Sequence, residues 1–220
     1  MKKLVLVLIL FVLPVAAFAA DEQNDRPHWS FEMKGGWFIP ALDNWSLFYG
    51  SRNMTEFGGT LAYKIIRQVE AGVEGSFVHG TGQGLAPVHG ILTGNVKYDL
   101  YPLNVFVLAR GVVSEQQWLV PYAGGGWTRM FYREEIEDQG IIRGAENGYH
   151  VRGGLQLLLD GLDPQSANNM VRDYGIYHTY LFFEAKYTRV MVDTAGTTST
   201  PGQSINIGGK SLLAGFLFEF

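Results

Sequence analysis

Three things are scarce in this sequence: cysteine, charge and long apolar runs. It has no cysteine and only 17% charged residues, so an exported form would need a source of stability other than disulfides. Beyond the first 20 residues, the longest stretch without Asp, Glu, Lys or Arg runs from Gly75 to Val96 and contains six glycines and Pro87. A stretch of that composition makes a poor helix, so we predict no transmembrane helix there.

The N-terminus is the exception and has the three-part layout of a secretory signal peptide. Two lysines precede an apolar run from Leu4 to Val15, and the small-residue site Ala17-Phe18-Ala19 follows. A single membrane-anchoring helix is the alternative, but the run is short for a span of roughly 20 residues. We therefore predict a signal peptide over residues 1–19 and one domain over residues 20–220.

The mature chain is acidic and rich in glycine and aromatic residues. Without the two leading lysines the 17 basic residues become 15, against 21 acidic ones, which argues against nucleic acid as a partner. The sequence has 28 Gly, 14 Phe, 11 Tyr and 5 Trp, a composition that favours sheets with tight bends over a soluble helical domain. A closed, hydrogen-bonded barrel in lipid would supply the stability that disulfides do not.

Apolar and polar residues alternate with period two along most of the mature chain, as in the segment Trp29-Ser30-Phe31-Glu32-Met33-Lys34. This alternation predicts strands with one apolar and one polar face. We predict eight strands, at about residues 29–39, 57–65, 69–77, 90–102, 118–132, 149–157, 176–187 and 211–220.

The faces of the fourth and fifth strands are assigned from the same alternation. In the fourth, the apolar set ending Tyr98-x-Leu100 is predicted to face lipid and the polar set ending Lys97-x-Asp99 the interior. In the fifth, Ala123, Trp127 and Phe131 are predicted to face lipid, which leaves Arg129 on that face.

A soluble sandwich also alternates, so the kind of apolar residue decides between sandwich and barrel. Aromatic residues gather near the strand ends, where amphipathic rings of a barrel would form girdles on either side of an apolar band of ~25 Å. These girdle residues are Trp29, Trp37, Tyr63, Phe77, Tyr98, Tyr149, Tyr187 and Phe220.

The connections alternate between long and short, as in barrels with long outer loops and short periplasmic turns. We predict a minimal turn at 66–68 and loops at 40–55, 80–89, 133–148 and 191–204. Two segments break the alternation. Residues 103–117 are either a strand extension or a packed excursion, and Asp163 as N-cap, Pro164 at the first position and Gly175 as C-cap predict a short helix.

At this point the chain resembles the small eight-stranded outer-membrane barrels of the OmpA/OmpX/OmpW type, and OmpW-like proteins most closely. The signal peptide runs directly into a strand, and Val120–Trp127 is similar to the Pro-Tyr-x-Gly-x-Gly strand of that superfamily. The predicted helix near Asp163 to Gly175 departs from the simplest members of that superfamily. The ending looks like the signal that such barrels present to the assembly machinery, with the alternating residues Leu212, Ala214, Phe216, Phe218 and Phe220.

The fold class implied is all-β: a closed antiparallel up-and-down transmembrane β-barrel of about eight strands, with one short periplasmic helix. The resemblance implies the bacterial outer membrane as location. Membrane lipid, lipopolysaccharide and the barrel assembly machinery would be the partners. The oligomeric state is not predicted.

The presumed inward residues include as many acidic as basic side chains. An eight-stranded barrel has a lumen only wide enough for side chains or one small ligand, and unpaired charges there are costly. We predict a structural salt-bridge network that fills the lumen; the alternative is a narrow pathway for small solutes. The network residues are Glu32, Lys34, Lys64, Glu70, Glu74, Lys97, Asp99, Arg152, Glu184 and Lys186.

An enzyme and a surface-loop binding protein are the other classes considered. The sequence has no HExxH and no Gly-x-Ser-x-Gly motif, and His79 with His89 supplies only two metal ligands. We therefore predict no catalytic residue, metal or cofactor. The aromatic residues of loop 40–55 (Trp45, Phe48, Tyr49) would either bind a ligand or fold the loop over the barrel mouth.

Overall fold

The computed structural model describes residues 27–42, 53–85, 92–114, 117–136, 140–193 and 204–220. The predicted signal peptide and the aromatic residues of loop 40–55 lie outside these ranges. The elements are β1 (Trp29–Pro40), β2 (Met54–Ile66), β3 (Val69–Leu85), β4 (Leu92–Arg110), β5 (Leu119–Ile136), β6 (Gly140–Leu158), α1 (Pro164–Tyr174), β7 (His178–Asp193), β8 (Ser204–Asn206) and β9 (Gly209–Glu219).

The strands form one closed antiparallel up-and-down barrel, as predicted. Each strand from β1 to β7 pairs with the next, and β9 pairs with both β7 and β1, so that no edge is left open. The short strand β8 continues the register of β9 against β7, because Asn206 lies opposite Met191 and Gly209 opposite Thr188. β8 and β9 therefore occupy the same position in the barrel wall, interrupted at residues 207–208. We call each strand position in the wall a stave, and the barrel has eight staves.

The barrel has two different ends, which we name by their connections. The turn end contains the two-residue turn at 67–68, the link 111–118, α1 and both ends of the barrel segment, where Trp29 and Phe220 exchange backbone hydrogen bonds of 2.8 and 2.9 Å. The loop end contains the other connections, at 41–53, 86–91, 137–139 and 194–203.

The distribution of side chains is the reverse of that in a soluble protein. Charged residues such as Glu32 and Glu74 are buried inside the barrel, whereas large apolar residues cover its outer wall. Between 37% and 61% of the surface of these outer residues is exposed, which suits contact with hydrocarbon. They include Phe31, Met33, Trp37, Phe57, Leu61, Val73, Leu103, Val105, Val107, Trp127, Phe131, Val151, Leu155, Phe183, Leu212 and Phe216.

Several strands are longer than predicted, so the predicted loops are too long. The β5–β6 hairpin stays paired up to Ile136 and Gly140, which makes most of the predicted loop 133–148 strand. Of the two options left open for residues 103–117, the strand extension is correct as far as Arg110. Glycine and charge, taken as loop signals, are compatible here with strands because the paired backbone groups supply the stability.

The faces predicted for β4 are wrong. Val96, Tyr98 and Leu100 point into the barrel, whereas Lys97 and Asp99 lie on its outer side. The loop-end part of β4 packs apolar residues inward and turns polar ones outward, whereas nearer the turn end its outward residues are apolar. Nearer the turn end, Leu103, Val105 and Val107 lie on the outer face and Asn104 points into the barrel. The pairing of β4 with β5 has no register shift between the loop-end and turn-end parts of β4.

The short helix forms where the sequence predicts it. Asp163 caps its N-terminus by accepting hydrogen bonds from the Ser166 hydroxyl (2.7 Å) and backbone N–H (3.0 Å), and these bonds lower the pKa of Asp163. Gly175 ends the helix at a φ of 68°, in the left-handed region that glycine enters at low cost. Among the described residues, no helix has the length and apolar character needed to cross a membrane.

Candidate functional site: the barrel interior

The interior is layered along the barrel axis, and β7 crosses every layer. Its inward residues run from Tyr180 and Phe182 near the turn end, through Glu184, Lys186 and Thr188, to Val190 and Val192 nearer the loop end, and all are buried. On this strand the charged pair Glu184 and Lys186 therefore lies between aromatic residues and valines.

Glu74 is the hub of this charged layer. Its Oε1 atom accepts hydrogen bonds from Lys186 Nζ (2.8 Å) and Asn104 Nδ2 (2.9 Å). Its Oε2 atom accepts from Arg152 Nη1 (2.7 Å) and from the Lys34 ammonium group. One buried carboxylate thus contacts three cations, which come from β1, β6 and β7.

Three further glutamates contact these cations, so that four acidic side chains face three basic ones. Glu184 lies 3.2 Å from Lys34 Nζ and 3.4 Å from Arg152 Nε. Glu32 lies 3.6 Å from Lys34 and 3.7 Å from Arg152. Glu56 accepts a 2.8 Å hydrogen bond from Lys186. We call this set the central network: Glu32, Lys34, Glu56, Glu74, Arg152, Glu184 and Lys186.

Neutral groups hold the network in place. Asn104, which donates to Glu74, accepts a 2.7 Å hydrogen bond from the Thr128 hydroxyl. Thr128 in turn lies 3.0 Å from His150 Nδ1. The Arg152 guanidinium also stacks over the Phe106 ring, 4.0 Å from its centroid. The charged side chains are therefore fixed by contacts on several sides.

A glycine makes room for one more contact to the network. Tyr122 Oη donates a 3.0 Å hydrogen bond to Glu184, and Gly154 faces it across the β5–β6 pair. A Cβ atom at Gly154 would lie 2.8 Å from that hydroxyl and 2.0 Å from the Phe183 carbonyl oxygen. The missing side chain therefore leaves space for the Tyr122 ring inside the barrel.

A second, smaller charged cluster lies towards the turn end. Glu219 lies 2.6 Å from Lys64 Nζ and also binds Arg110, which donates a 2.7 Å hydrogen bond to Gln156. Glu70 lies 3.9 Å from Arg110. We call Lys64, Glu70, Arg110 and Glu219 the turn-end cluster. The Arg110 guanidinium also faces the ring of Tyr180, 5.4 Å from its centroid.

Between the central network and the loop end, most of the inward side chains are apolar. Ten of them pack into one cluster, none more than 4% exposed, and the buried Glu134 lies opposite Tyr98 in the β4–β5 pair. We call these ten residues the loop-end plug: Phe38, Met54, Val78, Val96, Tyr98, Leu100, Met130, Val190, Val192 and Ile207.

The structure brings together most of the residues predicted for the interior network. All of them are buried inside the barrel except Lys97 and Asp99. Lys97, 59% exposed in its side chain, lies on the outer wall 3.4 Å from Glu135 Oε1. Asp99 also lies on the outer side, 2.6 Å from His79 Nδ1. Their inclusion is wrong because the faces of β4 were assigned in reverse.

Four charged residues of the interior were missed. Glu56, Arg110 and Glu134 fell in or beside segments treated as connections, and Glu219 was placed on the inner face without being counted in the network. The alternation Tyr101, Leu103, Val105 would have found Arg110, because inward positions follow from it at even numbers.

The terminal residues of the predicted assembly signal lie on the outer wall of the last stave. Leu212, Phe216 and Phe220 are 41% to 53% exposed, and Ala214 and Phe218 share their face. Within the described ranges, no group of three or more His, Asp or Glu side chains is placed to hold a metal ion. His89, the second of the two histidines considered as ligands, lies outside those ranges.

Known structures with this architecture are found by comparison of folds, whereas neither a family model nor a curated protein matches the sequence. Neisserial surface protein A superposes with a TM-score of 0.55 at 12% identity, covering 90% of this chain and all of that one. The N-terminal β-barrel domain of Pseudomonas aeruginosa OprF (TM-score 0.48, 13% identity) and E. coli outer membrane protein W (0.48, 11%) cover the same shares. The superposition on Neisserial surface protein A shows that this chain has the fold of a small outer-membrane β-barrel.

Proposed function

We propose that this protein is an integral protein of the bacterial outer membrane with a structural or surface role and a closed lumen. The apolar outer wall supports insertion in lipid, because charged residues inside and large apolar residues outside are stable only when hydrocarbon surrounds the barrel. In this orientation the turn end faces the periplasm and the loop end the exterior, as is usual for such barrels.

One observation carries the closed lumen: the central network and the loop-end plug follow each other along the axis. Glu74 and its cations fill the middle of the barrel, and Phe38, Tyr98 and Leu100, at 2% exposure or less, fill the section above. A conducting pathway would need a continuous polar route. The apolar plug favours a structural interior over the alternative of a narrow channel for small solutes.

Single-channel recording in planar bilayers tests this proposal. We expect no unitary conductance from the purified, folded wild-type barrel, because a solute would have to displace both layers. A variant with Phe38, Leu100 and Met130 replaced by alanine is the matched comparison, since it shortens three plug residues and leaves every charge in place. Folding of both proteins is checked by the shift in gel migration before and after boiling.

A reproducible wild-type conductance whose ion selectivity changes in Glu74→Gln would contradict the closed lumen and support the channel. If Glu74→Gln lowers the thermal stability alone and no current is seen, the channel alternative fails.

We further propose that membrane lipid and lipopolysaccharide surround the barrel and that the assembly machinery recognises its last stave. The exposed row from Leu212 to Phe220 supports the second point, because an assembly factor could reach it before the barrel closes. Replacing Phe220 by serine is expected to reduce the amount of folded barrel in outer membranes, measured by gel migration. Replacing the inward Ser211 by alanine serves as the control.

The same interior supports a non-catalytic role. Glu74, Asn104, Thr128 and His150 form a chain of contacts with one another, and all four are buried from bulk solvent. Incubation of the purified barrel with lipid A and phospholipid is expected to give no product. Any turnover would overturn this assignment.

A further inference from the structure

The helix α1 at the turn end is amphipathic yet buries none of its residues in the barrel. Ala167, Met170, Val171 and Tyr174 recur at the three- and four-residue spacing that places them on one helical face. Of these, Val171 is 37% and Tyr174 76% exposed, and Leu162 just before the helix is 82% exposed. The barrel interior therefore does not cover this apolar stripe.

The contacts of the helix show which way this stripe faces. Met170 Sδ lies 4.0 Å from Thr179 Oγ1 at the start of β7. Thr179 belongs to the outward row of β7 that continues with Leu181 and Phe183, and Phe183 is 51% exposed on the lipid-facing wall. The stripe is therefore continuous with the outer wall of the barrel and not with the lumen.

The opposite face of α1 is polar. Asn169 and Arg172 lie there and are linked by a 3.4 Å hydrogen bond, and Arg172 also pairs with Asp173 at 2.9 Å. Aromatic residues exposed at the same end of the barrel, Trp29 and Tyr177, mark the level of a membrane–water boundary. A helix with one apolar and one polar face at this level matches the chemistry of a lipid interface.

We propose that α1 is an in-plane anchor that lies in the turn-end leaflet and inserts its apolar stripe between phospholipid acyl chains. Its occupant is the lipid of the leaflet that already contacts Phe183, reached without a break through Met170 and Thr179. This inference rests on insertion of the barrel in a membrane. The anchor fixes the depth and tilt of the barrel at one point of its circumference.

Single-cysteine labelling tests the anchor, because the native chain has no cysteine to remove. Val171→Cys reports the apolar stripe, Asn169→Cys the polar face, and Phe183→Cys the outer wall. Each variant is folded into phosphatidylethanolamine and phosphatidylglycerol vesicles and spin-labelled. The accessibility of the label to oxygen, which concentrates in hydrocarbon, is compared with that to a water-soluble nickel chelate.

We expect the labels at positions 171 and 183 to favour oxygen several-fold over the chelate, and the label at position 169 to favour the chelate. Equal accessibility at 171 and 169, with 183 still in hydrocarbon, would overturn the anchor while leaving the barrel in the membrane. Protection of position 171 from both reagents would mean a protein surface as occupant and would also overturn it. Chelate access at position 183 would contradict membrane insertion itself, and the anchor with it.

Discussion

The central network and the loop-end plug fill neighbouring sections of one barrel with opposite chemistry. In the network, Glu74 contacts Lys34, Arg152 and Lys186, and each charge is stabilised by oppositely charged and polar neighbours. In the plug, Leu100 and Met130 are stabilised by close packing and have no charge to balance. Both sections exclude solvent, but they should respond differently to substitution.

The two sections show two ways in which side chains can fill the interior of a narrow barrel. Ionic side chains provide directional contacts between distant staves, at the cost of desolvating every charge. Apolar side chains avoid that cost but specify their neighbours less strictly. Removing Glu74 should therefore leave three buried cations without the carboxylate that they share, whereas shortening a plug side chain leaves only a cavity.

The largest effect is expected from Glu74→Gln. The substitution preserves the shape of the side chain but leaves Lys34, Arg152 and Lys186 short of a negative partner, which costs about 3–5 kcal/mol of unfolding free energy. Urea unfolding in phospholipid vesicles, followed by tryptophan fluorescence, measures this. A loss below about 1 kcal/mol would mean that solvent reaches the site and screens it.

In the plug, Leu100→Ala is expected to cost about 2–5 kcal/mol through lost burial and a residual cavity. Because no charge is involved, the loss should be the same at low and high salt. Leu100→Met, which keeps the volume, is the control and should cost less than about 1.5 kcal/mol. A salt-dependent loss in Leu100→Ala would show that the two layers are not independent.

A double-mutant cycle isolates one ion pair of the network. Glu56→Gln and Lys186→Met, alone and together, should give a coupling free energy of about 1–3 kcal/mol, because these two side chains are in direct contact at 2.8 Å. The control cycle pairs Glu56 with Lys64 of the turn-end cluster, eight positions further along β2. Comparable coupling in both cycles would mean that the effect is not a pairwise contact.

The smallest effect is expected outside the barrel. Glu135 pairs with Lys97 at 3.4 Å and with Arg133 at 3.0 Å, and its side chain is 39% exposed. Glu135→Gln should change the unfolding free energy by less than about 1 kcal/mol, since solvent screens an exposed pair. A loss as large as that of Glu74→Gln, measured by the same unfolding assay, would remove the contrast between inner and outer charges.

The alternation predicted the faces of β1, β2, β3, β5, β6, β7 and β9 correctly because each keeps one outward row along its predicted length. It misassigned β4 because that strand changes character along its length. Leu103 and Val105 face outward near the middle, whereas Tyr98 and Leu100 face inward at the loop end. Alternation gives the two faces of a strand, but which of them is inside depends on what surrounds that section.

The partners within the network could not be read from the sequence either. Lys34 and Glu74 are 40 positions apart, Arg152 and Glu74 78, and Lys186 and Glu56 130. Local pattern holds no information on contacts across such separations. They arise from the pairing register of eight staves and from closure of the last stave on the first.

By itself, the sequence determined the local features: the alternating faces of the strands, the caps of α1 at Asp163 and Gly175, and the presence of charged residues on strand faces that must be enclosed. Each depends on backbone geometry and on neighbours a few residues away. The tertiary structure alone decided that Lys97 faces outward, that Arg110 faces inward and that Glu74 contacts three basic side chains. Closing the sheet fixes register and curvature together, and only then does each inward side chain have definite neighbours.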